Sequence, residues 1–530
     1  MIQAKMKRVV KKRPIKISAN GSAEVKMSGL GKIKNSERLA SIIVPIIAGL
    51  ILLVCAIMNL NSSIWFDEAY SAYLVRGDFK QIWEMTAVDV HPPLFYFLLK
   101  IWSIMFGTSA VAMRFMSVFF GLIAIVFIFH LVKKWFGVKA ASVATLTAAV
   151  SPMLVRYSQE MRMYTLVLLI VVMATYYLTL ALEKGTERSG RKYWAAYAIL
   201  MTIGMWTHYF SAFMWIAQLV LIVKKMGGVK TIIKETAKRR TILLVYSLAA
   251  ILYLPWLPSF YSQVKTVQAG FWIPPVSFET MGDFTASLLF FNKAQEVTGW
   301  GLMFGLLLLV GFGMGLNQTF KTVKAEERQK LKDVIWLIVA PFLVMTVLSL
   351  PPLTSSFVDR YILYSIVLFW ALLGIIVGLL KNKRLKIILA SLVIIVAGLG
   401  VSFVENRKPR GHIKEIMAET FAVAKEGEPI IADGVWTYYD GIFYSSEKHP
   451  IYLFENEVDY KYGSLEPIRK YRVNVVGSGE EFLKDKASVW FVTDRNEGGN
   501  GYRVPEWAKE MRIETEILLD HNAAVHFVKD

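Results

Sequence analysis

Residues 40–70 read ASIIVPIIAGLILLVCAIMNLNSSIWFDEAY. From Ala40 to Leu60 the run is apolar, and its 21 positions, at 1.5 Å each in a helix, reach across the hydrocarbon core of a bilayer. Two carboxylates, Asp67 and Glu68, follow directly beside Trp65 and Phe66. Residues 1–38, ahead of the run, are polar and hold 11 Lys and Arg. A cleavable signal has a shorter basic region and a small-residue cleavage site, so the run is expected to be an uncleaved first span behind a basic cytoplasmic tail, residues 1–38.

Further apolar runs fall near 113–132, 138–154, 163–182, 193–207, 209–223, 241–257, 299–317, 334–350, 361–380 and 386–404. Residues 193–223 are long enough for two short helices turned at Thr207-His208-Tyr209. The segment from Pro93 to Phe106 is apolar but too short to span, and suits an interfacial helix. Charge placement agrees. With that segment at the interface, the tail and the loops near 133–139, 183–192, 224–240, 318–333 and 381–386 share one side and hold 34 basic residues. Cytoplasmic loops are the ones that carry such an excess. The expectation is about 11 transmembrane helices in residues 39–404, with the N-terminus inside, the C-terminus outside, and a first outer loop over residues 61–112.

Composition fits a membrane protein. Of the 530 residues 55% are apolar and 19% charged, which excludes a disordered chain and argues against an ordinary soluble enzyme. The formal charge is +19, made of −6 in residues 405–530 and +25 in residues 1–404. Basic residues placed between apolar segments follow membrane topology, and no nucleic-acid partner is expected. Residues 405–530 change character. Short β-rich runs (Pro429–Ala432, Ile451–Phe454, Ser488–Thr493, Ile513–Leu519, Ala524–Val528) alternate with helix-like stretches near 412–425 and 478–486, which predicts a small extracytoplasmic α/β domain. The single cysteine, Cys55, excludes an intramolecular disulfide and a cysteine zinc cluster.

The chemistry gathers on the outer side. Asp67 and Glu68 stand at a membrane boundary, where ionisable groups usually mark function, and a carboxylate there can take the proton of a hydroxyl nucleophile. The same pair can equally cap an interfacial helix. Asp89-Val90-His91-Pro92-Pro93 opens the next helix, placing His91 where an anion meets free N–H groups; alone, His91 reads as an exposed cap. Lys100 lies on an apolar helix and can snorkel to lipid phosphates. Before the next outer boundary, Glu160 is spaced to meet Arg156 or Tyr164, and Arg162 adds a phosphate-binding guanidinium; a self-satisfied ion pair is the plainer outcome. Arg360 is the one basic residue in the loop that ends Asp359-Arg360-Tyr361, where it can also be an interfacial anchor. His208, in a tight turn, reads as structural. The other histidines show no metal-ligand spacing. One aqueous face thus collects acids, arginines, a histidine, a lysine and aromatics, which suits an anionic lipid-linked substrate handled from outside.

In that order, span 1, Asp67-Glu68, His91-Pro92-Pro93-Leu94, Arg156 through Tyr164 and Asp359-Arg360-Tyr361, the chain resembles the GT-C membrane glycosyltransferases of the family 39 type. Their relatives include protein O-mannosyltransferases and the aminoarabinose transferases that modify lipid A. The resemblance covers roughly residues 40–404 and implies a polyprenyl-monophosphate sugar as donor. It implies Asp67 as the base that deprotonates an acceptor hydroxyl, with inversion at the anomeric carbon, and Glu68 as the residue that orients the site. The lipid phosphate would meet His91, Lys100, Arg162 and Arg360; His91 stands where the aminoarabinose transferases have a lysine. Substrate contacts would come from Asp89, Arg156, Glu160, Tyr164 and His208. No cofactor is implied outright. Some relatives bind a divalent cation, for which Asp67, Asp89 and Glu160 are the candidate ligands. The expected partners are the lipid-linked sugar, an envelope glycan, lipid or protein as acceptor, and the bilayer of a bacterial cytoplasmic membrane. A flippase or a sensor without transfer chemistry is the alternative; it would favour charges within the spans or an internal repeat.

Overall fold

Inside a bilayer a backbone can satisfy its N–H and C=O groups only along itself or in a closed barrel, so long apolar runs become helices. The computed structural model describes residues 22–269, 272–297, 299–406, 412–455, 465–495 and 501–530. The first nine helices are α1 (Ser22–Ile57), α2 (Phe66–Leu74), α3 (Phe79–Ala87), α4 (Leu94–Phe106), α5 (Ala110–Ala149), α6 (Pro152–Ser158), α7 (Tyr164–Lys184), α8 (Arg188–Thr207) and α9 (Ser211–Lys225). Residues 22–38 of the expected tail therefore belong to a helix, and residues 1–21 lie outside the described residues.

Among the described residues, eight helices are long and apolar enough to cross a membrane: Asn35–Ile57, Ala110–Ala149, Tyr164–Lys184, Thr236–Gln268, Trp300–Thr322, Ala325–Leu348, Asp359–Leu379 and Lys383–Glu405. The difference from eleven has two local causes. The runs expected at 113–132 and 138–154 form two helical stretches that meet at a non-helical Gly137, where φ is 80° and ψ 174°; together they count as one continuous element, α5, which ends at Ala149. The pair expected at 193–223 is present as α8 and α9, joined through His208, but α9 has only 15 residues and α8 begins with charged turns. Helix α4, 13 residues long, carries exposed Ile101, Ile104, Met105 and Phe106.

Small residues let the central helices approach. A Cβ on Gly374 would lie 2.5 Å from Ala144 Cα, and one on Gly378 2.8 Å from Ala140 Cα, so helix Leu363–Leu379 lies directly against α5. This is the small-residue packing that membrane helices use in place of hydrophobic drive. Thr147 Oγ1 donates to the Trp370 carbonyl across the same seam at 2.8 Å. Several of the basic loops are tied together at one end of the bundle: Lys134 pairs with Glu183 at 2.7 Å, and Lys224 and Lys225 pair with Asp333 at 3.1 and 2.6 Å.

Among the described residues, the C-terminal domain is a six-stranded sheet with helices. Its strands are β1 (Ile430–Ala432), β2 (Ile451–Phe454), β3 (Val475–Val476), β4 (Ser488–Asp494), β5 (Arg512–Leu518) and β6 (Asn522–Val528), in the order β3-β2-β1-β4-β6-β5. β3, β2, β1 and β4 are parallel; β6 runs antiparallel to β4 and β5. The strand nearest the middle, β1, is wholly buried, as a parallel strand covered on both faces should be. A helix over Val435–Tyr444 docks this domain onto α2. Tyr439 meets Tyr73 edge-on at 5.0 Å and Tyr70 at 5.5 Å between ring centroids, and Arg76 Nη2 donates to the Ile442 carbonyl at 2.9 Å.

Candidate active site

Where α2, the loop before α4, the entry to α7 and the C-terminal domain meet, they enclose a cavity of about 560 Å³. Six residues singled out in the sequence line it: Asp67, Asp89, His91, Arg162, Tyr164 and Arg360. Asp67 stands in the first turn of α2, next to the helix N-terminus that favours a carboxylate.

Arg162 is held from several sides. One of its terminal nitrogens, Nη1, donates to the Asp67 carbonyl (3.2 Å), Ser71 Oγ (3.2 Å) and Tyr96 Oη (3.4 Å). Nη2 lies 3.3 Å from His91 Nε2, and His91 Nδ1 lies 3.3 Å from Asp89 Oδ2. A guanidinium can only donate, so His91 Nε2 is the acceptor and Nδ1 carries the proton toward Asp89. Burial pushes the His91 imidazole below its ordinary pKa, in keeping with this neutral tautomer. His91 thus orients Arg162 and adds no charge of its own. Arg162 is 3% exposed, and its Nε has no hydrogen-bond partner among the described residues; nor has Arg360 Nε. Arg360 lies over the rings of Trp272 and Trp65, 5.4 and 5.9 Å from their centroids. Buried Arg162 and half-buried Arg360 each keep an Nε donor without a partner, an arrangement whose chemistry suits an anion.

The remaining expected residues are not brought to the cavity wall. Glu68, 1% exposed, is spent on Arg114. Arg114 Nε and Nη2 donate to its two oxygens at 2.7 and 2.6 Å, and the Met161 backbone N–H donates to Oε1 at 3.0 Å. Arg114 also donates to the carbonyls of Leu60, Ser62 and Ser63, so this buried pair clamps the loop that follows α1 to α5. Lys100 Nζ donates to the Val75 carbonyl at 2.8 Å. Arg156 pairs with Glu160 through Nη2 and Oε1, while Arg156 Nε and Glu160 Oε2 each have no hydrogen-bond partner among the described residues. His208 is buried beneath the wall, its ring 5.2 Å from that of Tyr361 and 6.1 Å from that of His91. Asp67, Asp89 and Glu160 do not converge as cation ligands, and among the described residues no group of three or more His, Cys, Asp or Glu is placed to hold a metal ion.

Comparison with known proteins bears on the fold. A family model described as dolichyl-phosphate-mannose-protein mannosyltransferase matches residues 90–258. The crystal structure of ArnT from Cupriavidus metallidurans in the apo state aligns with a TM-score of 0.61 at 11% identity, covering 92% of this chain and 97% of that one. This chain has the GT-C glycosyltransferase fold. ArnT from the same organism bound to undecaprenyl phosphate aligns with a TM-score of 0.59 at 12% identity, over the same shares of the two chains. No curated protein sequence matches the chain.

The GT-C fold closes its cavity here with residues that sequence reasoning did not single out: Trp272 from the loop before residue 278, and Trp436, Thr437, Asp440, Asp494 and Asn522 from the C-terminal domain. Arg114 had a legible signal, since a lone arginine in an apolar helix needs a partner. Asp440 had none, because the run VWTYYDGIFY is β-branched, aromatic and broken by glycine, and reads as strand although it forms a helix.

Proposed function

We propose that the chain is an inverting glycosyltransferase that moves a sugar from a polyprenyl-monophosphate donor to an acceptor hydroxyl on the outer face of the membrane, with Asp67 as general base. The observation that carries this is the polarity of one cavity. Asp67 lines the same 560 Å³ space as Arg162 and Arg360, each with an Nε donor that has no partner among the described residues. In the reaction, the acceptor oxygen attacks the anomeric carbon from the face opposite the phosphate, and its proton passes to Asp67. The bond from that carbon to the phosphate oxygen breaks, and its electron pair leaves with polyprenyl phosphate. Charge grows on that oxygen as the bond breaks, and Arg162 and Arg360 are fixed in advance to meet it. The solved ArnT complex, with undecaprenyl phosphate bound, supports a donor of this kind. The aqueous mouth is assigned to the outer face because the basic loops gather at the other end.

The test uses purified protein in liposomes with a panel of polyprenyl-phosphate sugars and a crude envelope extract as acceptor. Donor loss and released polyprenyl phosphate are followed by mass spectrometry. Asp67→Asn should lower transfer by about 10² to 10⁴-fold, the usual worth of a general base, with the protein still folded. Equal turnover by the variant removes Asp67 as the base.

A further inference from the structure

The C-terminal domain supplies one wall of the cavity, and that wall has its own chemistry. Trp436 and Asp440 are four residues apart on helix Val435–Tyr444, hence on one face, and both line the cavity. Their neighbours Tyr438 and Tyr439 are buried completely, whereas Trp436 is 55% exposed. It is nevertheless fixed, with its ring 5.7 Å from that of Phe66. The cavity is also lined by Asp494 at the end of β4 and Asn522 at the start of β6, paired in register, with Asn522 Nδ2 donating to Asp494 Oδ1 at 2.8 Å. The Asp440 Oδ1 atom is buried without a hydrogen-bond partner among the described residues. Native proteins rarely leave a carboxyl oxygen in that state, and a ligand hydroxyl would satisfy it.

We propose that this wall is a subsite for a neutral glycan acceptor: Trp436 is the platform for the apolar face of a pyranose, and Asp440 and Asp494 hydrogen-bond the hydroxyls along its edge. The proposal rests on the transferase reading above. Charge divides the cavity. Among the described residues the C-terminal wall presents no cation to a phosphate, while Arg162 and Arg360 attract it, so the anionic end of the donor and a neutral, hydroxyl-rich acceptor sort to different parts of the cavity. Protonation fits the same picture. Burial, with Asp494, Glu68 and Asp67 nearby, holds the Asp440 carboxyl well above the usual range. Asp494 is partly open to solvent, yet desolvation against the wall and the adjacent Asp433 push its pKa up to about 6. A carboxyl that both donates and accepts suits a hydroxyl, which does the same.

The experiment titrates the full chain in nanodiscs with two probes separately. The first is a panel of neutral methyl glycopyranosides and disaccharides, read by saturation-transfer NMR. The second is undecaprenyl phosphate. At least one neutral glycoside should bind. Trp436→Ala should weaken it at least about tenfold and Asp440→Asn should also weaken it, while undecaprenyl phosphate binds unchanged. Because Trp436 is exposed, its truncation leaves the domain core intact; Trp436→Phe should recover most of the affinity. Variants that bind glycosides as the wild type does would overturn the subsite. So would undecaprenyl phosphate binding with no glycoside binding, although the transferase reading would survive that result. Glycoside binding lost in Trp436→Ala, in a protein that ignores undecaprenyl phosphate, would keep the subsite and sink the transferase reading.

Discussion

Asp67 and Glu68 are adjacent in the chain and are nearly opposite in circumstance. Asp67 lines the cavity, whereas Glu68 has both oxygens committed to Arg114. Removing one member of a buried pair leaves the other charge uncompensated, at a cost of about 3–5 kcal/mol. Glu68→Gln should therefore lower the denaturation midpoint in detergent far more than Asp67→Asn does. Replacing both members, Glu68→Gln with Arg114→Met, should recover part of the loss, because no lone charge remains buried. Equal midpoints for the two single variants would show that Glu68 is not the structural member of the pair. The family resemblance casts Asp67 as base and Glu68 as an orienting residue, but the residue pattern alone does not divide them, because Arg114, which holds Glu68, lies 46 residues away on another helix.

At the scale of elements, the seam between α5 and helix Leu363–Leu379 depends on glycine for close approach, not for unusual dihedrals. The Cβ of Gly374→Ala would meet Ala144 backbone at 2.5 Å, closer than such atoms pack. The helices must separate, and overpacking of this kind costs about 1–3 kcal/mol. A thermal melt of Gly374→Ala should show that loss, while Gly398→Ala, where a Cβ meets nothing within 4 Å, should melt at or above the wild-type temperature. The same scale shows where local reading worked. Five of the six strands lie where alternating or β-branched runs predicted them. The two-residue β3 is too short to leave a pattern, and helix Val435–Tyr444 forms against its own propensity because its aromatic face packs onto α2.

For the molecule as a whole, the ion pairs Lys134–Glu183 and Lys225–Asp333 join basic loops at one end, and the cavity is walled by the C-terminal domain. If that basic end is cytoplasmic, a cysteine introduced at exposed Glu480 should react with an impermeant maleimide in intact cells. One at exposed Lys324 should react only after permeabilisation. The reverse pattern would invert the orientation and place the proposed chemistry inside. The positions of the apolar runs, the loops that collect positive charge, and an acid immediately after the first run were all readable along the chain. Hydrophobicity and charge act locally against a bilayer, a solvent that treats every segment alike. Which of two neighbouring acids faces the cavity, how His91 turns Arg162 toward it, and that Trp436 and Asp440 complete its wall were decided by folding. Those outcomes depend on contacts between residues up to several hundred positions apart, and a one-dimensional pattern carries no record of which distant side chain will arrive.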